Sequence, residues 1–184
     1  MSLKNSKMTR FVNLLTAIRI FLAPIILCFL IFGDYLVCTL LFFLAGVSDY
    51  FDGHLARKYS AESQLGEILD PIADKILVVF ILIGLSVNLH SYLLAVMSSL
   101  IISREIGVTA LRDYSARNHI SHKTKVTFLA KSKTAIQLFT ILLYLIALSF
   151  NLNLLIIVGD ISLIAATLIT LYTGYEYANN IFNK

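Results

Sequence analysis

The sequence predicts an all-α polytopic membrane protein with six transmembrane helices, and three observations carry that prediction. Of its 184 residues, 58% are hydrophobic and only 14% charged, with a mean hydropathy of +0.83; an average soluble domain has roughly 25% charged residues. Six apolar stretches each approach the ~20 residues that a helix needs to cross a bilayer. Nearly all Lys and Arg lie to one side of these stretches.

The first stretch, 11 to 32, contains Arg19 and lacks a small-residue cleavage site. It therefore reads as a first span rather than a signal peptide, and the N-terminus is expected to be retained. The second, 35 to 56, follows a turn at Gly33 and Asp34. The third, 67 to 87, and the fourth, 92 to 113, are joined by Ser86 to Ser91, and the fifth, 132 to 150, and the sixth, 153 to 176, by Phe150 to Asn153. Backbone groups in hydrocarbon must be bonded within the segment, so each span is a helix. Alternating direction puts the three short turns on one side, and they contain no Lys or Arg. The other side holds Lys4, Lys7, Arg10, Arg57, Lys58, Arg112, Arg117, Lys123, Lys125, Lys131, Lys133 and Lys184. By the positive-inside rule that side, with both termini, is cytoplasmic, and the expected location is the inner (cytoplasmic) membrane of the cell.

Two prolines, eight glycines and no low-complexity stretch leave no linker, so residues 1–184 read as a single integral membrane domain. Cys28 and Cys38 flank the first turn without the spacing of a metal knuckle or a disulfide framework, and are expected to be buried, inert thiols. A net charge of +4 in such a chain reflects topology and anionic lipid rather than nucleic acid, so no nucleic-acid partner is expected.

Charges inside the spans cluster in depth. Arg19, Asp52, Glu67, Asp70, Asp74, Lys75 and Arg112 fall toward the cytoplasmic half, with Asp49, Arg104 and Glu105 nearer mid-membrane. Ionisable groups at that depth must face a watery cavity or one another, and mark function. Asp160 stands apart, and an interhelical hydrogen bond is enough to account for it.

The second span ends DYFDGHLAR, from Asp49 to Arg57, and the third begins GEILDPIAD, from Gly66 to Asp74. Asp49 and Asp52 are three apart, and Asp70 and Asp74 four apart, so each pair shares a helix face with about 5 to 6 Å between Cβ atoms. Two antiparallel helices can present all four carboxylates to one volume. Without a cation between them these charges repel, and hard oxygen ligands suit magnesium or manganese. The competing explanation is interhelical pairing of the aspartates with Arg57, Lys75 and Arg19.

The run Asp49, Asp52, Gly53, Ala56, Arg57, Gly66, Asp70, Asp74, with eight residues between Arg57 and Gly66, resembles the signature of the CDP-alcohol phosphatidyltransferases. That resemblance implies the CDP-alcohol phosphotransferase fold, homodimers, a membrane-lipid environment, and displacement of CMP from a CDP-linked lipid by an alcohol. It implies that Asp49, Asp52, Asp70 and Asp74 hold two divalent ions, Mg²⁺ or Mn²⁺, and that Asp74 also takes the proton of the attacking hydroxyl. Gly53 and Gly66 let a nucleotide approach the backbone, Ala56 less completely, and Arg57 can hold a phosphate oxygen bidentately. Asn13 and Thr16, in FVNLLTAIRIFLAP, resemble the family's opening pattern and would line the cytidine pocket, while Ser63 would bond the diphosphate. Loop or helix-capping roles stand beside these three assignments. Pro24 and Pro71 read as kinks or helix starts, and His119 and His122 as a solvated loop.

The stretches SREIGVTALRD, from Ser103 to Asp113, and AKSKTAIQ, from Ala130 to Gln137, resemble the branch of that family that makes phosphatidylglycerophosphate. In that branch glycine usually precedes the first lysine, where this chain has Ala130. Arg104, Arg112, Lys131 and Lys133 would bind an acceptor bearing a phosphate dianion; positive-inside anchoring is the other account of the two lysines. The expected substrates are CDP-diacylglycerol and sn-glycerol 3-phosphate. The alternatives are the same chemistry with serine, an inositol phosphate or phosphatidylglycerol, or a divalent-cation transporter, in which Arg57, Gly53 and Gly66 would have no obvious task.

Overall fold

A computed structural model describes residues 3–59, 64–118 and 128–182, and the side-chain surroundings of Thr9, Gly66 and residues 13–49, 68–118 and 133–182. The described residues form six helices, α1 Leu3–Phe32, α2 Tyr35–Tyr59, α3 Gln64–Asn88, α4 Tyr92–Arg117, α5 Phe128–Phe150 and α6 Asn153–Phe182. There is no strand among the described residues. Among the described residues four segments are long and apolar enough to cross a bilayer, namely Asn13–Phe32, Tyr92–Arg117, Lys133–Phe150 and Asn153–Phe182, and α2 adds a shorter apolar run, Tyr35–Asp49. The run in α2 stops where its acidic sequence begins. The chain is a multi-pass membrane protein.

The short turns are built alike. The chain enters the left-handed region one residue after α1 and α5, at Gly33 (φ 87°) and Asn151 (φ 53°), and two residues after α3, at His90 (φ 46°). The next amide then reaches back to a carbonyl of the last helical turn: Asp34 to Phe29 at 3.0 Å, Ser91 to Ser86 at 3.2 Å and Leu152 to Ala147 at 2.9 Å. This arrangement satisfies carbonyls that a helix end would otherwise leave bare. Ser91 also caps α4, accepting from the Leu94 amide at 3.3 Å.

Helix neighbours close a ring in the order α1, α2, α5, α6, α4, α3, with α3 and α5 also touching across it. Large apolar side chains such as Phe21, Phe32, Tyr92 and Leu154 face outward, as lipid requires. Ile26, Leu30, Ile81, Leu85, Ile141 and Leu145 fill the centre. Lipid is as apolar as leucine, so the helices are held by close packing and by polar bonds between them. Tyr144 donates to Asp160 Oδ1 at 2.6 Å, which is the interhelical bond expected of that aspartate. Gly159 makes room for the ring, since a Cβ there would lie 3.0 Å from it. Thr140 and Ser162 pair at 2.6 Å. Cys38 is buried and donates to the Ile26 carbonyl at 3.5 Å, whereas Cys28 lies exposed on α1, contrary to expectation, because α1 is apolar around most of its circumference and its rotation is not encoded in that pattern.

Candidate active site

Three helices converge on the acidic residues. α2 carries Asp49, α3 carries Asp70 and Asp74, and α1 presents Thr16 and Arg19, which at three residues apart share one face. Thr16 donates to Asp70 Oδ1 at 2.7 Å. Arg19 Nη1 donates to Asp49 Oδ1 at 2.5 Å and to Asp74 Oδ1 at 2.7 Å. The Arg19 side chain is only 1% exposed, while those of Asp49 and Asp74 are 48% and 45% exposed. A buried guanidinium is tolerable only when paired and hydrogen-bonded, and here one nitrogen meets two carboxylates from different helices. Part of the pairing explanation therefore holds, for Arg19; Lys75 instead donates to Thr109 Oγ1 at 2.5 Å.

Asp49 and Asp74 border a cavity of about 410 Å³ between α2, α3, α4 and α5, with Arg19 contributed by α1. Its polar lining includes Lys75, Glu105, Thr134 and Gln137, and the rest is apolar, including Ala45, Leu77, Val78, Ile101 and Leu138. Such a mixed wall suits an amphiphile whose charged part lies against the acidic residues.

Beyond the cavity, polar bonds tie α4, α5 and α6 together. Glu105 accepts from Arg104 Nη1 at 2.9 Å and from Lys133 Nζ. Arg104 Nη2 donates to Thr173 at 2.8 Å, and Gln137 donates to Thr170 at 3.1 Å. A Cβ on Gly174 would stand 2.9 Å from Arg104 Cγ and 3.0 Å from its Nε, so glycine is what lets the arginine lie along α6.

Of the residues singled out from sequence, Asp49, Asp70, Asp74 and Thr16 come together here. Asn13 is half-buried on α1 three residues before Thr16, and Gly66 is buried in the first turn of α3. Asp52, Gly53, Ala56 and Arg57 fall within α2 and Lys131 within α5, but their side chains lie outside the described residues, as does Ser63 altogether. Of the four basic residues expected around an acceptor, the three whose side chains are described are spread out. Lys133 reaches Glu105 on the cavity wall. Arg104 is buried against α6 and Arg112 is exposed, and neither lines the cavity. Glu105 and Gln137 carry site contacts that the sequence reading does not assign, and Arg19 enters that reading only in the competing pairing explanation. Their signal was the cost of placing such side chains inside a span, without the helix rotation needed to say what they face.

The sequence profile of the CDP-alcohol phosphatidyltransferase family matches residues 10–172. The chain belongs to the CDP-alcohol phosphatidyltransferase family. Among its relatives, CDP-diacylglycerol--glycerol-3-phosphate 3-phosphatidyltransferase of Blochmanniella floridana is 39% identical over 91% of this chain and 88% of its own length. The proteins of the same name from Rickettsia bellii (strain RML369-C) and Haemophilus influenzae are 38% and 34% identical, over 90% and 89% of this chain and 91% and 88% of theirs.

CDP-alcohol phosphatidyltransferases are enzymes that generally use divalent metal ions, and the donor set here fits that chemistry. Asp49, Asp70 and Asp74 offer hard carboxylate oxygens, and two of them retain nearly half their side-chain exposure. Among the described side chains, no three of His, Cys, Asp and Glu stand close enough to hold one ion. Between Asp49 and Asp74 stands the Arg19 guanidinium.

Proposed function

We propose that this chain transfers a phosphatidyl group from CDP-diacylglycerol to sn-glycerol 3-phosphate, giving phosphatidylglycerophosphate and CMP in phospholipid biosynthesis. The observation that carries the reading is the acidic residues of α2 and α3, converging beside a part-apolar cavity, in a chain whose relatives bear that activity in their names.

In this reading Asp49, Asp52, Asp70 and Asp74 hold two divalent ions, Mg²⁺ or Mn²⁺. Bound there, the ions would polarise the lipid-linked phosphate and neutralise charge on the departing CMP. Arg57, Ser63, Gly53, Ala56 and Gly66 hold the CDP diphosphate close to the backbone, and Asn13 and Thr16 line the cytidine pocket. Asp74 accepts the proton of the acceptor's primary hydroxyl as its oxygen attacks phosphorus and the phosphoanhydride bond to CMP breaks. Lys133, with Arg104, Arg112 and Lys131, supplies the positive charge for the acceptor's phosphate dianion.

The whole activity resides in one domain, residues 1–184, with six spans. The chain works as a homodimer in the inner membrane, with both termini and the site on the cytoplasmic side. The test is CMP release by purified protein with CDP-diacylglycerol and Mg²⁺ or Mn²⁺, offering glycerol 3-phosphate, serine, inositol phosphate and phosphatidylglycerol in turn. Turnover with glycerol 3-phosphate well above the others is expected; preference for another acceptor overturns the acceptor assignment.

A further inference from the structure

Arg19 sits where a cation shared by Asp49 and Asp74 would have to bind. Its Nη1 touches Oδ1 of both carboxylates, at 2.5 and 2.7 Å, from a third helix. Because one atom makes both contacts, the two oxygens cannot be farther apart than those two lengths combined. The guanidinium is enclosed, at 1% exposure. Thr16, one turn earlier on the same face, fixes Asp70 as well, so α1 engages Asp49, Asp70 and Asp74 alike.

From this we infer that Arg19 is a resident counter-cation, which compensates the aspartates when no metal is bound and competes with divalent ions for Oδ1 of Asp49 and Asp74. The inference rests on the metal-dependent reading above. Without Arg19, carboxylates gathered in a low-dielectric site repel one another, so the metal-free fold depends on it. With Arg19, an arriving dication meets a fixed positive charge and oxygens already engaged. Its affinity is therefore held down until a second anionic group arrives. A CDP-linked diphosphate is such a group, so metal and nucleotide load together, each strengthening the other by the same factor.

Mn²⁺ binding is measured on purified wild type, Arg19→Gln and Arg19→Lys without CDP-lipid or acceptor, from loss of the free-ion paramagnetic signal, alongside thermal unfolding with and without Mn²⁺. Removing a unit charge beside the ligand oxygens should tighten Mn²⁺ binding by about tenfold or more in Arg19→Gln. That variant should unfold at a lower temperature than wild type without metal, and Mn²⁺ should raise its unfolding temperature by more. Arg19→Lys keeps the charge but lacks the planar fork and should fall between. A folded Arg19→Gln that binds Mn²⁺ no tighter than wild type overturns the inference, because a merely structural arginine would leave affinity unchanged or reduce it. Should Arg19→Gln fail to fold without metal, Arg19→Lys decides in its place, and affinity no higher than wild type overturns the inference. The readout needs no acceptor, so an error about glycerol 3-phosphate would show in the acceptor assay and leave this result standing.

Discussion

Thr16 and Asp70, 54 residues apart, are joined by a hydrogen bond of 2.7 Å from the hydroxyl of α1 to the carboxylate of α3. The bond fixes one carboxylate oxygen of Asp70, and it comes from a helix that carries none of the acidic motif. Thr16 is fully buried, so its hydroxyl has no water as a substitute partner. Thr16→Val keeps the shape and removes the donor. With hydrogen bonds to charged groups contributing about 1.5–3 kcal/mol, the variant should lose roughly ten- to a hundredfold in kcat/KM for the CDP-lipid while remaining folded. Thr16→Ser, which keeps the hydroxyl, should recover most of that loss. Steady-state kinetics of the two variants checks this, and equal losses in both would point to packing instead.

Replacing each aspartate separately, as Asp49→Asn, Asp52→Asn, Asp70→Asn or Asp74→Asn, should remove most activity at saturating Mg²⁺. The amide keeps the volume but not the charge that a divalent ion requires. Asp74→Asn should depress kcat more than it weakens CDP-lipid binding, since it also removes the acceptor of the hydroxyl proton. Binding of CDP-lipid measured beside turnover separates the two. Near-normal turnover in any of the four would remove that residue from the proposed metal set.

Helix boundaries show which features of the fold the sequence carries legibly. At the three short turns the predicted and observed ends agree to within a residue, at 32 and 35, 87 and 92, and 150 and 153. Gly33, Asn151 and the polar run around His90 are hard stops beside purely apolar segments. At the opposite, charged end every helix runs on for three to eight residues past the predicted span. In α1 to α5 the extension carries Lys, Arg or Gln, which are good helix formers, so the helix continues after the apolar signal that defines a span has ended; the extension of α6, Tyr177 to Phe182, carries none of them.

The site was legible to the same extent. A three- or four-residue spacing fixes what two residues on one helix share, and it located the aspartates. Which neighbour they face depends on how each helix is rotated against the others, and that is why Arg19 entered only as one candidate pairing partner. Arg104 and Glu105 make the same point. Adjacent residues on a helix point about 100° apart, and it is Glu105 that lines the cavity while Arg104 turns toward Thr173 on α6.

Orientation in the membrane can be read with single cysteines in a background lacking Cys28 and Cys38. Tyr92 is 89% exposed at the start of α4, just after a turn without Lys or Arg, and Lys123 belongs to the basic stretch between α4 and α5. A membrane-impermeant thiol reagent applied to intact cells, with access to the outer face of the inner membrane, should modify Tyr92→Cys and spare Lys123→Cys. The reverse pattern would place the termini and the site on the other side.

Acceptor recognition is where the geometry sharpens the expectation. Lys133 meets Glu105 on the cavity wall, whereas the buried Arg104 bonds Glu105 and Thr173. The two cations should therefore fail differently when removed. Lys133→Gln deletes the charge paired with Glu105 on the cavity wall, and its KM for glycerol 3-phosphate should rise by about tenfold, the loss of one charge-assisted contact to a dianion. Its KM for CDP-diacylglycerol should change little. Arg104→Ala strips Glu105 of a partner and leaves a void against α6, so it should raise the acceptor KM and also lower the unfolding temperature. Gly174→Ala offers a third view. The added methyl would press on Arg104 at 2.9 Å, displacing the guanidinium without deleting it, so it should reproduce the acceptor defect of Arg104→Ala in weaker form. Kinetics with both substrates varied, together with thermal unfolding of all three variants, checks the set. A Lys133→Gln enzyme whose KM for glycerol 3-phosphate is unchanged would move the acceptor phosphate away from this end of the cavity, toward Lys75 on the α3 wall.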